Sequence, residues 1–138
     1  MVILFDIFNL SDDIFEIIFA TKQQKIVGEL LIRMMKEKGG EITKSEMSEI
    51  ATQLHDGKLV AEIDEPEYAG KKVKLSYNKR QFYDRILTPM KSMGLIYYDL
   101  YKKTYRLSDR FSKEMQKIGN MWVQELNKPV KLKSKPKF

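Results

Sequence analysis

The segment SYNKRQFYDRILTPMKSMGLIYYD, positions 76 to 99, constrains the fold more than any other part of the chain. It begins with polar, basic and aromatic residues, and apolar residues then recur at helical spacing. Phe82, Ile86 and Met90 fall on one side of such a helix, so that side must pack against a core. Gly94 then precedes a run typical of a β-strand. The segment therefore predicts a helix, a turn and a strand, in that order.

The ends and the shape of this helix follow from single residues. Ser76 is the predicted N-cap of a helix over residues 77–93. Pro89 lacks an amide hydrogen, so we expect it to bend the helix near Arg85. The N-terminal half then carries the exposed polar and basic side chains.

Two capping boxes predict two earlier helices. Thr21 with Gln24 begins the first, and Gly39-Gly40 ends it. Its expected apolar stripe comprises Ile26, Leu30, Met34 and either Ile32 or Met35. Thr43 with Glu46 begins a second helix over residues 44–54. Its expected buried residues are Met47, Ile50, Ala51 and Leu54.

Two regions have the pattern of antiparallel hairpins. Ala61 with Ile63 and Val73 with Leu75 alternate within an insertion at about 56–75, which indicates a hairpin or an extended acidic loop. Residues 95–99 and 104–107 indicate a second hairpin with a basic tip.

The two ends of the chain carry more apolar residues than a small core needs. Residues 1–20 hold four acidic and no basic residues, which argues against a signal peptide and against a membrane span. We therefore expect a cytoplasmic protein, with a short helix capped by Ser11 and presenting Ile14, Ile17 and Ile18. Ser108 is the expected cap of a last helix over residues 108–126, and residues 127–138 form a basic tail.

Charge is segregated along the chain, whose net charge is +6. Residues 41–67 sum to −6, whereas residues 71–91 sum to +6 and the last twelve residues add five lysines. A basic face and tail of this kind suit a polyanion such as nucleic acid, although a lysine-rich solvated surface would look the same.

Catalytic signatures are missing from the sequence. The chain has no cysteine and one histidine, His55, which we expect to be structural or solvated. It contains no glycine-rich phosphate loop and no nucleophile elbow. We therefore expect neither an enzyme nor a bound cofactor or metal.

The order helix, helix, third helix, Gly-Leu-Ile and hairpin resembles the winged helix-turn-helix family, especially small archaeal and bacterial regulators of the ArsR and MarR type. The most specific match is RILTPMKSMGLI, positions 85–96, and EIIFATKQQKIVGELL resembles the entry to the first helix of archaeal members. The resemblance implies a mainly α fold with a small antiparallel hairpin, in which residues 21–107 form the winged helix domain. It also implies a recognition helix at 77–93, a positioning helix at 44–54 and a wing at 95–107. The insertion between the second and third helices and Pro89 depart from the family pattern.

Double-stranded DNA is the partner that the residues and the resemblance both favour. Arginine, asparagine and glutamine can pair with base edges in the major groove, whereas lysines and hydroxyls suit phosphates. The DNA-binding candidates are Tyr77, Asn78, Lys79, Arg80, Gln81, Arg85, Lys102, Lys103, Arg106, Thr43, Lys44 and Ser45. Each is equally compatible with an ordinary solvated side chain.

A homodimer is the expected assembly, with residues 1–20 and the last helix as its interface. The dimerisation candidates are Phe5, Phe8, Ile14, Ile18, Ile118, Trp122 and Leu126. The alternative is that these segments fold back on their own domain. The resulting hypothesis is a dimeric transcriptional regulator associated with the nucleoid. The alternative hypothesis is a winged-helix module that binds protein within a transcription, replication or chromosome-organising assembly.

Overall fold

The computed structural model describes residues 6–62 and 70–132 and has a mixed α/β architecture with two small antiparallel sheets. The elements in chain order are α1 (Ile14–Ile18), α2 (Lys22–Glu37), β1 (Glu41–Thr43), α3 (Lys44–His55), β2 (Leu59–Glu62), β3 (Lys72–Leu75), α4 (Lys79–Gln81), a π-helical turn (Phe82–Leu87), α5 (Thr88–Ser92), β4 (Ile96–Asp99), β5 (Thr104–Leu107) and α6 (Arg110–Asn127). The expected helices and hairpins are present, with more strand than the mainly α prediction allowed.

The N-terminal helix α1 is capped by Asp13 and not by Ser11. The Asp13 carboxylate accepts the Phe15 amide at 2.9 Å, whereas the Ser11 hydroxyl accepts the Asp13 amide at 3.0 Å. Lys25 of α2 pairs with Asp13 at 3.1 Å and holds α1 against α2. Ile18 is 1% exposed in this core, so its assignment to a dimer interface is wrong. For Ile18, the alternative that the segment folds back on its own domain is correct.

The other dimerisation candidates near the N-terminus are not part of this core. Phe8 is largely exposed and Ile14 is partly exposed. Their role in an interface between two chains stays a prediction. Phe5 lies outside the described residues, as do residues 133–138 of the basic tail.

Helix α2 has the predicted ends but a different buried side. The Thr21 hydroxyl accepts the Gln24 amide, and the Gly40 amide donates to the Met35 carbonyl across the predicted glycine C-cap. The buried apolar side chains are Val27, Leu31 and Met35, whereas Ile26, Leu30, Ile32 and Met34 are only half-buried. Gly28 explains the difference: a Cβ there would lie 2.4 Å from the Phe19 ring, so this side of α2 packs closest to the core.

Helix α3 follows the prediction closely. Both bonds of the capping box are present, from the Glu46 amide to the Thr43 hydroxyl at 3.1 Å and from the Thr43 amide to the Glu46 carboxylate at 3.0 Å. Its buried residues are Met47, Ile50, Ala51 and Leu54.

The hairpin β4–β5 is extended by a strand that the sequence did not predict. Strand β1 pairs antiparallel with β5, with Ile42 opposite Tyr105, and gives the order β1-β5-β4. Ile42, Tyr105 and Ile96 are buried on the face that packs on the helices.

The insertion contains the predicted antiparallel hairpin in its described part. Leu59 lies opposite Leu75 and Ala61 opposite Val73. Residues 63–69, with Ile63, lie outside the described residues.

The segment 79–92 is one continuous helix, called the composite helix below, made of α4, the π-helical turn and α5. Its N-cap is Asn78, whose side chain accepts the Gln81 amide at 3.1 Å, so the assignment to Ser76 is wrong. The turn at Phe82–Leu87 includes an i to i+5 bond from the Thr88 amide to the Tyr83 carbonyl. Pro89 has no amide to offer to the Arg85 carbonyl, and the wider turn relieves the clash of its ring with that carbonyl. Phe82, Ile86, Leu87 and Met90 are at most 1% exposed, and Met93 is half-buried.

Helix α6 begins against the rest of the chain and then leaves it. The Phe111 amide donates to the Gly94 carbonyl at 3.0 Å. The N-cap is Asp109 and not the predicted Ser108, although the Ser108 hydroxyl accepts the Arg110 amide. Gly94 has φ +81°, and a Cβ there would lie 2.9 Å from the Phe111 nitrogen. No residue of α6 is buried. Among the described residues, no helix combines the length and the apolar character needed to cross a bilayer.

Candidate nucleic-acid interface

The first turn of the composite helix presents polar side chains beside the end of α3. The Lys79 amide donates to His55 Nδ1 at 3.2 Å, and Lys79 Nζ donates to the Thr52 hydroxyl at 3.0 Å. Lys79 is thus anchored to α3 and only half-exposed, whereas Asn78 and Gln81 are exposed. Asn78 already uses its side-chain oxygen in the cap, which leaves its amide group as a donor.

The two arginines of the composite helix differ in their surroundings. The Arg80 side chain is 91% exposed, and its Nε lies 3.7 Å from Asp84 Oδ2. This long, exposed i, i+4 contact contributes at most a few tenths of a kcal/mol, so Arg80 is available to another anion. Arg85 is exposed within the π-helical turn, with its charge close enough to act on Tyr77.

Tyr77 does not belong to the surface. Its side chain is 5% exposed within the core, and burial raises the pKa of its hydroxyl while the Arg85 charge opposes that rise. The expectation that Tyr77 contacts DNA is therefore wrong. Its backbone is also fixed at the end of α3, where the Tyr77 amide donates to the Leu54 carbonyl at 2.9 Å. An aromatic ring next to a helix start thus serves packing here and not recognition.

A second group of candidates lies where α3 begins. The Lys44 amide donates to the Lys103 carbonyl at 2.9 Å, so the first residues of α3 adjoin the tip of the β4–β5 hairpin. Thr43, Lys44 and Ser45 are exposed there, together with Lys102 and Lys103. We call these five residues the tip group. Asn78, Lys79, Arg80, Gln81 and Arg85 form the helix-start group.

Helix α3 separates the two groups. The tip group adjoins its first residue, and Lys79 of the helix-start group is bonded to Thr52 and His55 in its last turn. Twelve helical residues span about 18 Å. The structure therefore brings the predicted residues together in two patches and not in one.

The tip itself has a defined turn. The Asp99 carboxylate accepts the amides of Tyr101 and Lys102 at 3.0 and 3.1 Å, and these bonds hold the pKa of that carboxyl below its usual value. Lys103 adopts φ +53°, which completes the reversal of the chain. The turn leaves Leu100 76% and Tyr101 99% exposed. Sequence analysis missed both residues, although a four-residue turn containing leucine and tyrosine is a usable signal.

Arg106 is exposed but engaged. Its guanidinium lies 4.8 Å from the centre of the Tyr97 ring, on the outer face of the sheet. Glu41 lies opposite Arg106 on β1. This stacking holds the guanidinium against the sheet. Arg106 therefore adds a fixed positive charge beside the tip group and is not free to reach out to a ligand.

A lysine and two tyrosines form a contact that the sequence did not indicate. Lys91 Nζ lies 5.9 Å from the Tyr98 ring centre and 6.0 Å from that of Tyr105. The two rings lie 4.6 Å apart. Burial raises the pKa of Tyr105, and Tyr83 and Tyr98 add to that rise. The contact ties the end of the composite helix to the hairpin.

Across residues 6–62 and 70–132, no three histidine, aspartate or glutamate side chains gather in a way that could hold a metal ion. Comparisons with protein-family models, with curated proteins and with solved structures found no match.

Proposed function

We propose that this protein binds double-stranded DNA in the manner of a winged helix-turn-helix regulator, with the composite helix in the major groove and the β4–β5 hairpin on the backbone or minor groove. Such a protein would act on the chromosome inside the cell. The proposal draws on the resemblance of the sequence and on the two exposed basic groups.

One observation supports the proposal most: the composite helix has one face buried in the core, and its other face carries side chains that can hydrogen-bond to base edges. Phe82 and Ile86 are fully buried, while Arg80, Gln81 and Arg85 are exposed. Arginine pairs bidentately with guanine and glutamine with adenine, so this face carries the groups that direct readout requires. The acidic partner of Arg80, Asp84, holds it too weakly to compete with DNA.

The tip group has the composition of a backbone contact. Lys102, Lys103 and Lys44 supply three positive charges, and Thr43 and Ser45 supply hydroxyls and the amides of a helix start. These groups bind phosphate without sequence preference. We therefore assign nonspecific affinity to the tip group and sequence discrimination to Arg80, Gln81 and Arg85.

A protein-binding module is the second candidate. The observation that favours it is the apolar tip, where Leu100 and Tyr101 are largely exposed beside the lysines. Exposed tyrosine and leucine at a turn suit a protein surface as well as a DNA groove.

The test is a binding titration against duplexes chosen from a random pool. A fluorescent duplex selected by the protein and a scrambled duplex are titrated at two salt concentrations. Arg85→Ala and Arg80→Ala are each expected to weaken specific binding about 5- to 150-fold, because a bidentate arginine–guanine pair contributes about 1–3 kcal/mol. Binding to the scrambled duplex should fall less.

Lys36→Ala is the matched control. Lys36 is exposed in the last turn of α2, so its replacement removes one positive charge that belongs to neither group. If no duplex is enriched from the pool, the DNA proposal is wrong; if both arginine variants bind like the parent, the composite helix does not read bases. The protein-binding module then becomes the leading hypothesis.

A further inference from the structure

Helix α6 carries an apolar stripe that stays exposed along almost its entire length. Only Phe111 and Glu114 at its start are half-buried. The exposed fractions are 37% for Met115, 54% for Ile118, 56% for Met121, 63% for Trp122, 52% for Val123 and 65% for Leu126. These six side chains leave on the order of 600 Å² of apolar surface in water, at about 200 Å² for a large side chain. A patch of this size is at the upper limit for a protein that acts alone.

The polar side of α6 is already satisfied by its own ion pairs. Arg110 pairs with Glu114 at 2.6 Å, and Lys113 lies 3.5 Å from Asp109. Lys128 pairs with Glu125 at 3.1 Å. Most of the stability of helices in proteins comes from packing of an apolar face, so the stripe needs a cover if α6 is to persist.

The spacing of the stripe specifies a helix as that cover. Phe111, Met115, Ile118 and Trp122 are separated by four, three and four residues. Intervals of three and four residues are those of the a and d core positions in a two-helix coiled coil. The apolar strip that they form is narrow enough for one partner helix to cover it.

We propose that the cover is a second copy of this chain, with the two α6 helices packed antiparallel about a two-fold axis that passes between the stripes at the level of residue 120. This inference does not depend on DNA binding. Two stripes would bury at most about 1,200 Å², the lower limit of stable specific interfaces, because Met121 and Val123 flank the seam on opposite sides.

The antiparallel direction follows from the charge of the tail that follows α6. An antiparallel pair centred at the level of residue 120 seats Ile118 against the partner's Trp122. A parallel pair would instead bring two tails of five lysines each to the same end. The antiparallel pair keeps those tails apart by the length of α6, about 27 Å.

The first test is the mass of the full chain in solution. Sedimentation equilibrium at tens of micromolar should give twice the chain mass of 16.3 kDa. Trp122→Glu should raise the dimer dissociation constant at least about 30-fold, as expected when a central aromatic anchor is removed. Asn120→Glu adds the same charge on the opposite side of α6 and should leave the dimer intact. A monomeric parent, or a dimer indifferent to Trp122→Glu, overturns the proposal.

The second test fixes the direction, and the absence of cysteine from the chain makes it clean. Met121→Cys flanks the proposed axis and should form a disulfide with itself under mild oxidation. Ile118→Cys alone should not cross-link, but it should do so when mixed with Trp122→Cys. Asn120→Cys, on the outer side, is the control that stays reduced.

A parallel pair predicts the reverse pattern, because each core position then faces its own copy. Efficient cross-linking of Ile118→Cys with itself would therefore overturn the antiparallel arrangement. Circular dichroism of each cysteine variant, measured after cross-linking, checks that helical content matches that of the parent, as expected because these residues are exposed on α6.

Discussion

Replacing Gly94 should show most clearly how the turn after the composite helix contacts the start of α6. In Gly94→Ala, the new methyl group meets two obstacles. The backbone has φ +81°, a left-handed conformation that costs an alanine about 1–2 kcal/mol. The added Cβ would also lie 2.9 Å from the Phe111 nitrogen and 3.0 Å from Arg110 Cβ, and relieving such overpacking costs about 1–3 kcal/mol. The free energy of unfolding should therefore fall by about 2–5 kcal/mol.

Gly39→Ala separates the two terms. Gly39 has φ +78°, but no atom lies within 4 Å of its added Cβ, so only the conformational cost of about 1–2 kcal/mol applies. Both variants and the parent are compared by urea unfolding, followed by circular dichroism, at one protein concentration because any self-association would add to stability.

Equal decreases of stability in the two variants would refute the steric argument. In that case the Phe111 amide and the Gly94 turn would have to separate at little cost, and the departure of α6 from the domain would not be fixed by this contact.

Three further predictions concern the core, the pH dependence of stability and the tip group. Ile86→Ala should lower the free energy of unfolding by about 2–5 kcal/mol, because Ile86 is fully buried; exposed Thr88→Ala, measured in the same urea series, should change it far less. Burial raises the pKa of Tyr105, so the unfolded chain loses this proton first and stability should fall as pH rises above about 10. Tyr105→Phe should flatten that alkaline decline in thermal melts; an unchanged slope contradicts the assignment. Lys102→Ala and Lys103→Ala should each reduce the log–log salt slope of DNA binding by about 0.9 for every phosphate that the variant no longer neutralises, with equal effects on selected and scrambled duplexes.

The sequence correctly predicted those helix starts in which the N-cap side chain bonds to the amide three residues later. Thr21 and Thr43 cap their helices as expected, because the bond from a hydroxyl to an amide three residues later needs no tertiary contact. Ser76 failed as a cap because Asn78 lies two residues later with a longer side chain suited to the same role.

Tertiary packing decided what local patterns left open. In α2, apolar residues occur nearly all round the helix, so periodicity could not choose between the Leu30 and the Leu31 side. The choice depends on Phe19 packing over Gly28. Strand β1 is only three residues long, and its pairing partner β5 lies some sixty residues later, so no local pattern reveals it.

The exposure of the candidate residues was predicted from the sequence more accurately than their positions relative to one another. Arg80, Gln81 and Arg85 are exposed as expected, yet Tyr77 is buried and the lysines of the hairpin lie at the other end of α3. Spacing along one helix can be calculated from the sequence. The distance between that helix and a hairpin depends on how both pack against α3.

Helix α3 consequently fixes the distance between the residues bonded at its two ends. Lys44 is bonded to the hairpin tip at one end of the helix, and His55 and Thr52 are bonded to Lys79 at the other. The backbone of Lys44 and the side chain of Lys79 are therefore held apart by the length of α3. Since phosphates follow one another every 3.4 Å along the axis of a duplex strand, about 18 Å corresponds to roughly five base-pair steps. If the protein binds DNA as proposed, a duplex lying along α3 must be at least this long to reach both Lys44 and Lys79.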